Sequence, residues 1–414
     1  METLKTNFKI TFTYIKVLLK WLIVASLLGA FGGVIGSAFH MCIEAVTHLR
    51  HENTWLVFLL PLGGVVIALI YGFFKSKGHI DTNRVLEAVK DRGKVPFVMM
   101  PLIFLSTAIT HLLGGSAGRE GAAIQLGGSL GYNFGRLLRF NEQDTKIIIV
   151  AGISSTFSAL FGTPLTAAVF SLEVASVGIF HYAGFLPCIV ASIVAYQISL
   201  AFGIAPVEFS QILIENVTVP GVLKIVALSV LCAVVGIVFC FSIHKCEHYM
   251  QKCIKNPYYR SVAGALLIIL LTILVGSYDY NGAGMEIVER AIVLGEARYE
   301  AFLMKIIFTA ITISAGFKGG EIVPTLFIGA TFGCVAGELL GLDPGFAAAI
   351  GFVSLFCCVV NCPLASLMLS VEVFGAEGIL YFALAVAVSY LMSGRSSLYK
   401  SQQIVFSKTD NTKL

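Results

Sequence analysis

Of 414 residues, 13% are charged and 57% are hydrophobic, and the mean hydropathy is +0.88; soluble domains carry about 25% charged residues, so a water-soluble fold is excluded. The net charge of +4 comes with no basic stripe, which argues against a nucleic-acid partner. The ten cysteines are scattered, mostly inside apolar runs, and read as small core residues and not as a disulfide framework.

The chain therefore reads as an all-α integral membrane protein, multi-pass, with the lipid bilayer as its solvent. Apolar runs fall near 15–39, 55–74, 97–115, 146–178, 181–203, 219–242, 261–277, 302–315, 323–340, 345–361 and 378–393. A full crossing takes about 20 apolar residues, and several of these runs are shorter or are cut by Gly and Pro. Broken helices of this kind mark a transporter or channel site. The first run is too long for a signal peptide and is followed by further spans, so it is expected to stay uncleaved. Lys5, Lys9, Lys16 and Lys20 accompany it, and Arg395, Lys400, Lys408 and Lys413 close the chain. By the positive-inside rule both termini are expected in the cytoplasm. Glycine supplies 41 residues, many in clusters such as Gly29-Ala30-Phe31-Gly32-Gly33, which suit close helix packing in lipid.

The most informative stretch is GGSAGREGAAIQLGG, residues 114–128. Arg119 and Glu120 stand between glycines in a long apolar tract. The first amides of a helix have no internal partner and lie at the positive end of the dipole, so a Gly-rich loop opening into a helix is an anion site. A carboxylate placed there competes with an anion, which is the arrangement of a gate.

Two halves carry matching signals in the same order. GISSTFSALFGTPLTAAVFSLEVA at 152–175 aligns with GFVSLFCCVVNCPLASLMLSVEVF at 351–374, so that Pro164 meets Pro363 and Glu173 meets Glu372. GREGAAIQLGGSLG at 118–131 aligns with GEIVPTLFIGATFG at 320–333, so that Gly118 meets Gly320, Arg119 meets Glu321, and Glu120 meets Ile322. Repeats in transporters are often inverted, with the substrate site at their interface. The chain then forms a single transmembrane domain over 1–414, with a first half at about 15–205 and a second at about 219–405.

Glu120 is an intramembrane carboxylate, which is a functional candidate by default. Glu321 follows glycines at the start of an apolar run that Pro324 is expected to break. A second acid near the first makes sense if the cargo moves with a proton. The symmetry of Glu173 and Glu372 argues for a structural role, holding backbone amides of a neighbouring half-helix. Tyr399, on composition alone, is an interfacial belt residue. His244, Cys246, His248 and Cys253 offer a weak metal pattern, but no HExxH is present and no metal or other cofactor is expected. No Walker A or dinucleotide fingerprint occurs, so ATP-driven transport is unsupported and an enzyme is not indicated.

GREG at 118–121, GGEIVP at 319–324, the repeated Pro-Leu helices and the late Tyr399 resemble the CLC chloride channel and antiporter superfamily over about 15–405. The resemblance implies a CLC-type fold of two inverted repeats, with broken helices meeting at a central anion site, and a homodimer with one pathway per subunit. It implies that Glu120 is the gating glutamate and that Tyr399 is the central tyrosine, in place of the belt reading. Gly118, Arg119, Gly121, Gly320, Glu321, Ile322 and Val323 would then line the anion pathway.

The departures from the family pattern carry information. The first anion motif GSGIP is replaced by GHIDTNRVLEAV at 78–89, where Thr82 stands in for the serine. Ala122 follows Gly121 in place of the usual Pro. Glu321-Ile322-Val323-Pro324 replaces Ile-Phe-Ala-Pro, and Val174 occupies the position of the exchangers' internal proton-transfer glutamate. Together these resemble the fluoride/proton antiporter branch, where an acid at the Glu321 position belongs to the mechanism. The implied activity is export of fluoride ion in exchange for a proton, in the plasma (inner) membrane of a bacterium. No cytoplasmic regulatory domain is expected after the short tail. The alternative is a chloride-selective channel or chloride/proton exchanger, which the missing GSGIP and Glu321 argue against.

Overall fold

The computed structural model describes residues 2–74, 81–90, 93–209, 217–410 and 412, with side chains from residue 11 onward. Residues 78–80 of the GHIDTNRVLEAV stretch, Lys413 and the side chains of Lys5 and Lys9 lie outside the described residues. Sixteen α-helices are described. The first half holds α1 (Glu2–Glu52), α2 (Leu60–Phe73), α3 (Thr82–Lys90), α4 (Met99–Leu112), α5 (Glu120–Leu137), α6 (Glu142–Phe161), α7 (Pro164–Glu173) and α8 (Phe185–Ala201). The second half holds α9 (Val219–Cys253), α10 (Pro257–Val275), α11 (Met285–Glu289), α12 (Ala301–Ala315), α13 (Ile322–Leu339), α14 (Pro344–Val360), α15 (Pro363–Phe374) and α16 (Ile379–Met392). The one two-stranded sheet described pairs β1 (Ser176–Val177) with β2 (Gln403–Ile404) in parallel. Seven of the described helical segments are long and apolar enough to cross a membrane, and five shorter apolar helices accompany them.

The repeat is visible in the backbone. Residue 119 caps α5 with φ −108° and ψ −11°, and its counterpart 321 caps α13 with φ −94° and ψ −10°. Left-handed Gly162 ends α6 and left-handed Asn361 ends α14. Thr163 and Cys362 then adopt φ/ψ of −118°/79° and −117°/77° before Pro164 and Pro363 open the next helices. The run at 146–178 is thus two helices, because Pro164 has no amide to continue α6 and suits the first position of α7. Pro324, by contrast, does not break its run. It is the third residue of α13, where the amide it lacks would have had no partner within the helix.

Small residues set the helix spacing. A Cβ on Gly152 would stand 2.3 Å from the Gly127 carbonyl oxygen, and one on Gly351 would stand 2.1 Å from that of Gly329. The same contact therefore fastens α5 to α6 and α13 to α14. In the Gly29–Gly33 cluster, a Cβ on Gly29 would stand 2.6 Å from the Ala191 carbonyl of α8. Seven cysteines are buried and all ten are free thiols, in line with their reading as core residues.

Glu173 and Glu372 hold the two halves together reciprocally. Glu372 accepts from the amides of Leu165 and Thr166 at 2.8 and 2.7 Å, at the start of α7. Glu173 accepts from Leu364 and Ala365 at 3.2 and 2.9 Å, at the start of α15. Each carboxylate closes the open amides of the opposite half's helix, the role their symmetry suggested. Gly152→Val is expected to cost about 1–3 kcal/mol through overpacking against backbone, read as a lower melting temperature of the detergent-solubilised protein. Wild-type melting of that variant would refute the close packing of α5 on α6.

Candidate anion site

Two helix N-termini meet at one point. Gly118 and Gly320 form an antiparallel bridge, each amide donating to the other's carbonyl at 2.6 Å. The two segments that lead into α5 and α13 run antiparallel here, as an inverted repeat requires. The approach leaves no room for side chains. A Cβ on Gly320 would stand 2.3 Å from the Gly121 nitrogen, and one on Gly121 would stand 2.8 Å from the Gly320 Cα. A Cβ on Gly118 would stand 2.5 Å from Glu120 Oε2.

Glu120, the first residue of α5, is fully buried at this crossing. Its Oε2 accepts from the Arg119 amide at 2.9 Å, and the amides of Glu120 itself and of Val323 also face the carboxylate. Its Oε1 has no hydrogen-bond partner in the protein, and Arg119 Nε lies 3.8 Å away. The carboxylate thus sits on the open amides of both helix starts, where an exogenous anion would bind. Ile322 and Val323 are buried behind it and contribute the first amides of α13.

A cavity of about 780 Å³ lies beside the crossing, lined by Thr82, Gln125, Lys318, Gly319, Glu321 and Tyr399 among others. Glu321 is the residue that caps α13, and its Oε2 would stand 3.5 Å from a Cβ on Gly121. Thr82 opens α3, which adds a third helix start. Its hydroxyl donates to the Gly121 carbonyl at 3.5 Å and accepts from Gln125 Nε2 at 3.1 Å. Tyr399 is buried, with only 4% exposed, and its hydroxyl has no protein partner. It is therefore not a belt residue.

The backbone around Tyr399 is fixed from several elements. The Leu398 amide donates to the Val359 carbonyl at 2.9 Å. His244 bonds the Ser397 carbonyl at 2.8 Å, which accounts for one member of the weak His/Cys pattern. Among the described residues, no group of three or more His, Cys, Asp or Glu could hold a metal. Ser401 donates through its amide and hydroxyl to Asn83 Oδ1, both at 3.0 Å, and Lys90 bonds the Ser401 carbonyl. Tyr399 and Thr82 are thereby tied across three residues of backbone.

The sequence-derived residues separate into two groups. Thr82, Glu321 and Tyr399 face the cavity, whereas Glu120, Arg119, Gly118, Gly121, Gly320, Ile322 and Val323 form the crossing beside it and do not line it. Two residues were not singled out from sequence. Gln125 is a buried amide whose Oε1 is unpartnered, and its signal was a lone polar residue in GAAIQLGG. Lys318 places its ammonium 4.6 Å from the Tyr71 ring centre and was legible as a cation beside the second glycine pair.

Two inverted halves with helix starts converging on a buried carboxylate define a multi-pass membrane protein built to handle small ions. Residues 63–394 match the family described as voltage gated chloride channel. The chain belongs to that family, the CLC transporters and channels, whose members move ions and are not enzymes. It is 34% identical to the "Chloride/fluoride channel protein" of Pseudomonas syringae pv. tomato, over 94% of this chain and 87% of that protein. The "H(+)/Cl(-) exchange transporter ClcA" of Vibrio cholerae is 23% identical, over 85% of this chain and 81% of that one. The crystal structure of a CLC-type fluoride/proton antiporter superimposes with a TM-score of 0.89 at 27% identity, covering 94% of this chain and 98% of that one. A slow cyanobacterial Cl⁻/H⁺ antiporter shares the fold with a TM-score of 0.76 at 19% identity, covering 90% and 94%.

Tyr399→Phe is expected to leave thermal stability within about 0.5 kcal/mol of wild type, because no protein group bonds the hydroxyl. Glu372→Ala, which strands two helix-start amides, is expected to lower it by about 3 kcal/mol. Thermal unfolding of both variants in one detergent checks this, and equal losses would mean that the Tyr399 hydroxyl has a protein partner.

Proposed function

We propose that the chain is a secondary active transporter that exports fluoride from the cytoplasm in exchange for protons, with Glu120 as the proton-coupled gate. The observation that carries this reading is the Glu120 carboxylate seated on the amides of both helix starts, with a second acid, Glu321, one residue from the same crossing. A carboxylate and a fluoride ion compete for those amides. Protonating Glu120 weakens its hold on them, because the neutral acid is a poorer acceptor than the anion. Proton uptake and anion binding are thus exchanged at one place, which couples the two flows without ATP.

In the proposed cycle fluoride comes from the cytoplasmic side into the cavity, within reach of Thr82 and Tyr399, and moves on to the first amides of α13 at the crossing beside it. Glu120 takes a proton from the outside and swings inward as fluoride leaves. Glu321 helps carry fluoride or its proton past the inner end of the pathway. Fluoride is small, strongly hydrated and a strong hydrogen-bond acceptor, so polar and protonatable neighbours are needed to replace its water. Chloride is larger and softer and needs them less. The two similar proteins named for fluoride, at 34% and 27% identity, support this cargo. The proposal includes a homodimer in the bacterial inner membrane, with both termini cytoplasmic.

Purified protein in liposomes, with fluoride and chloride flux read by ion-selective electrodes and proton flux by a pH electrode, tests the reading. Glu120→Gln is expected to reduce proton-coupled fluoride flux by about 100-fold or more, as when a proton-transfer group is removed. Normal coupled exchange in that variant sinks the gate. Glu321→Gln is expected to lower the ratio of fluoride to chloride flux, and an unchanged ratio returns the chain to the chloride-selective reading.

A further inference from the structure

Among the described residues, the stretch that follows Tyr399 forms no helix, yet it is fastened at defined points. The Gln402 side chain lies between the end of α7 in the first half and the end of α14 in the second. Its Nε2 donates to the Val174 carbonyl at 2.9 Å and to the Val360 carbonyl at 2.7 Å. Its Oε1 accepts from Ser397 Oγ at 2.6 Å and from Asn361 Nδ2 at 3.2 Å. A side-chain amide has two donor hydrogens and two acceptor lone pairs, so every polar position of Gln402 is filled.

Those partners close around Tyr399. The Tyr399 amide donates to Ser397 Oγ at 3.2 Å, and the Gln402 amide donates to the Tyr399 carbonyl at 3.1 Å. Gln402 thereby grips the tyrosine's turn from both sides while anchoring it to one helix end of each half. Farther along, Lys408 Nζ donates to Asn361 Oδ1 at 2.5 Å, Ser393 Oγ at 2.6 Å and the Tyr390 carbonyl at 3.0 Å. All three ammonium hydrogens are used, and Asn361 is shared between the two anchors. Between them, β2 pairs with β1.

We propose that Gln402 is a positioning residue that fixes the Tyr399 hydroxyl relative to the α5–α13 crossing, with Lys408 as outer anchor of the same strap, and that this fixed spacing favours a small anion over a larger one. The inference rests on the proposed reading that the Tyr399 hydroxyl meets the anion. Attraction to a donor rises steeply as the separation shrinks, so a small anion gains most from a donor held close. A loosened tyrosine loses that contact for fluoride before it loses it for chloride.

The test uses the full chain in liposomes with fluoride and chloride electrodes. Gln402→Leu keeps much of the volume and removes all four side-chain bonds. It is expected to lower the fluoride-to-chloride flux ratio by about 10-fold, a displacement-sized effect, and to add nothing in a Tyr399→Phe background. A ratio within about 2-fold of wild type, or a full extra loss on top of Tyr399→Phe, overturns the inference. Tyr399→Phe alone separates the two failures. If it leaves the ratio unchanged, the site reading falls and the inference with it; if it lowers the ratio while Gln402→Leu does not, the positioning role alone falls. Lys408→Met carries the test if Gln402→Leu does not reconstitute. It is expected to lower the ratio in the same direction, and an unchanged ratio overturns the strap.

Discussion

The structure depends on one crossing, where Gly118 and Gly320 exchange amide hydrogen bonds at 2.6 Å. In hydrocarbon every backbone polar group needs a partner, because water is not there to supply one. A helix that begins within the membrane therefore has an unsolved problem at its start. Here two such starts solve part of it for each other and leave the remaining amides turned inward. The glycines at 118, 121 and 320 are the condition for this, since a Cβ at any of them would collide with the opposite segment or with Glu120.

The same need recurs at the other broken helices and is met by carboxylates. Glu173 and Glu372 each accept two amides of the opposite half, and the pair is symmetric. Charge-assisted bonds of this kind contribute about 1.5–3 kcal/mol each. At the crossing the chemistry is alike but the symmetry is broken. Glu120 follows the capping residue of α5, whereas its counterpart in α13 is Ile322, and the acid there has moved to the cap itself as Glu321. One acid covers the amides and the other faces the cavity. An exact repeat would have offered an anion two equal sites; the substitution of Arg119-Glu120 by Glu321-Ile322 makes the two sides of the crossing unlike.

Around this asymmetric centre the C-terminal stretch acts as a brace. It reaches α3 through Ser401 and Asn83, both halves through Gln402, and the end of α14 through Lys408. The tyrosine hydroxyl is left as the unpartnered group at the end of a backbone that is itself held on every side. That combination, a rigid support and a free donor, is what a preorganised binding site consists of.

Several features followed from the sequence because they obey local rules. Hydropathy gave the membrane and the all-α class, since lipid leaves helices as the simplest way to satisfy the backbone. The Gly-Pro punctuation gave the repeat and its register, down to Arg119 opposite Glu321, because caps and helix starts constrain φ and ψ residue by residue. The acids were legible as rare charges in apolar tracts. Other features depended on contacts between segments far apart in the chain. Tyr399 read as a belt residue on composition, and only the packing of the tail against α7, α9 and α14 makes it buried. Gln125 and Gln402 look like ordinary polar residues, and their roles come from meeting Thr82 43 positions away and Val174 228 positions away. Pro324 read as a helix breaker, yet tertiary structure put it in a first turn where the missing amide costs nothing. The sequence by itself determined which residues carry charge and how the two halves align, because those are properties of short windows. The tertiary structure decided which helix starts face each other, because that depends on backbones close enough to touch only where glycine stands on both sides.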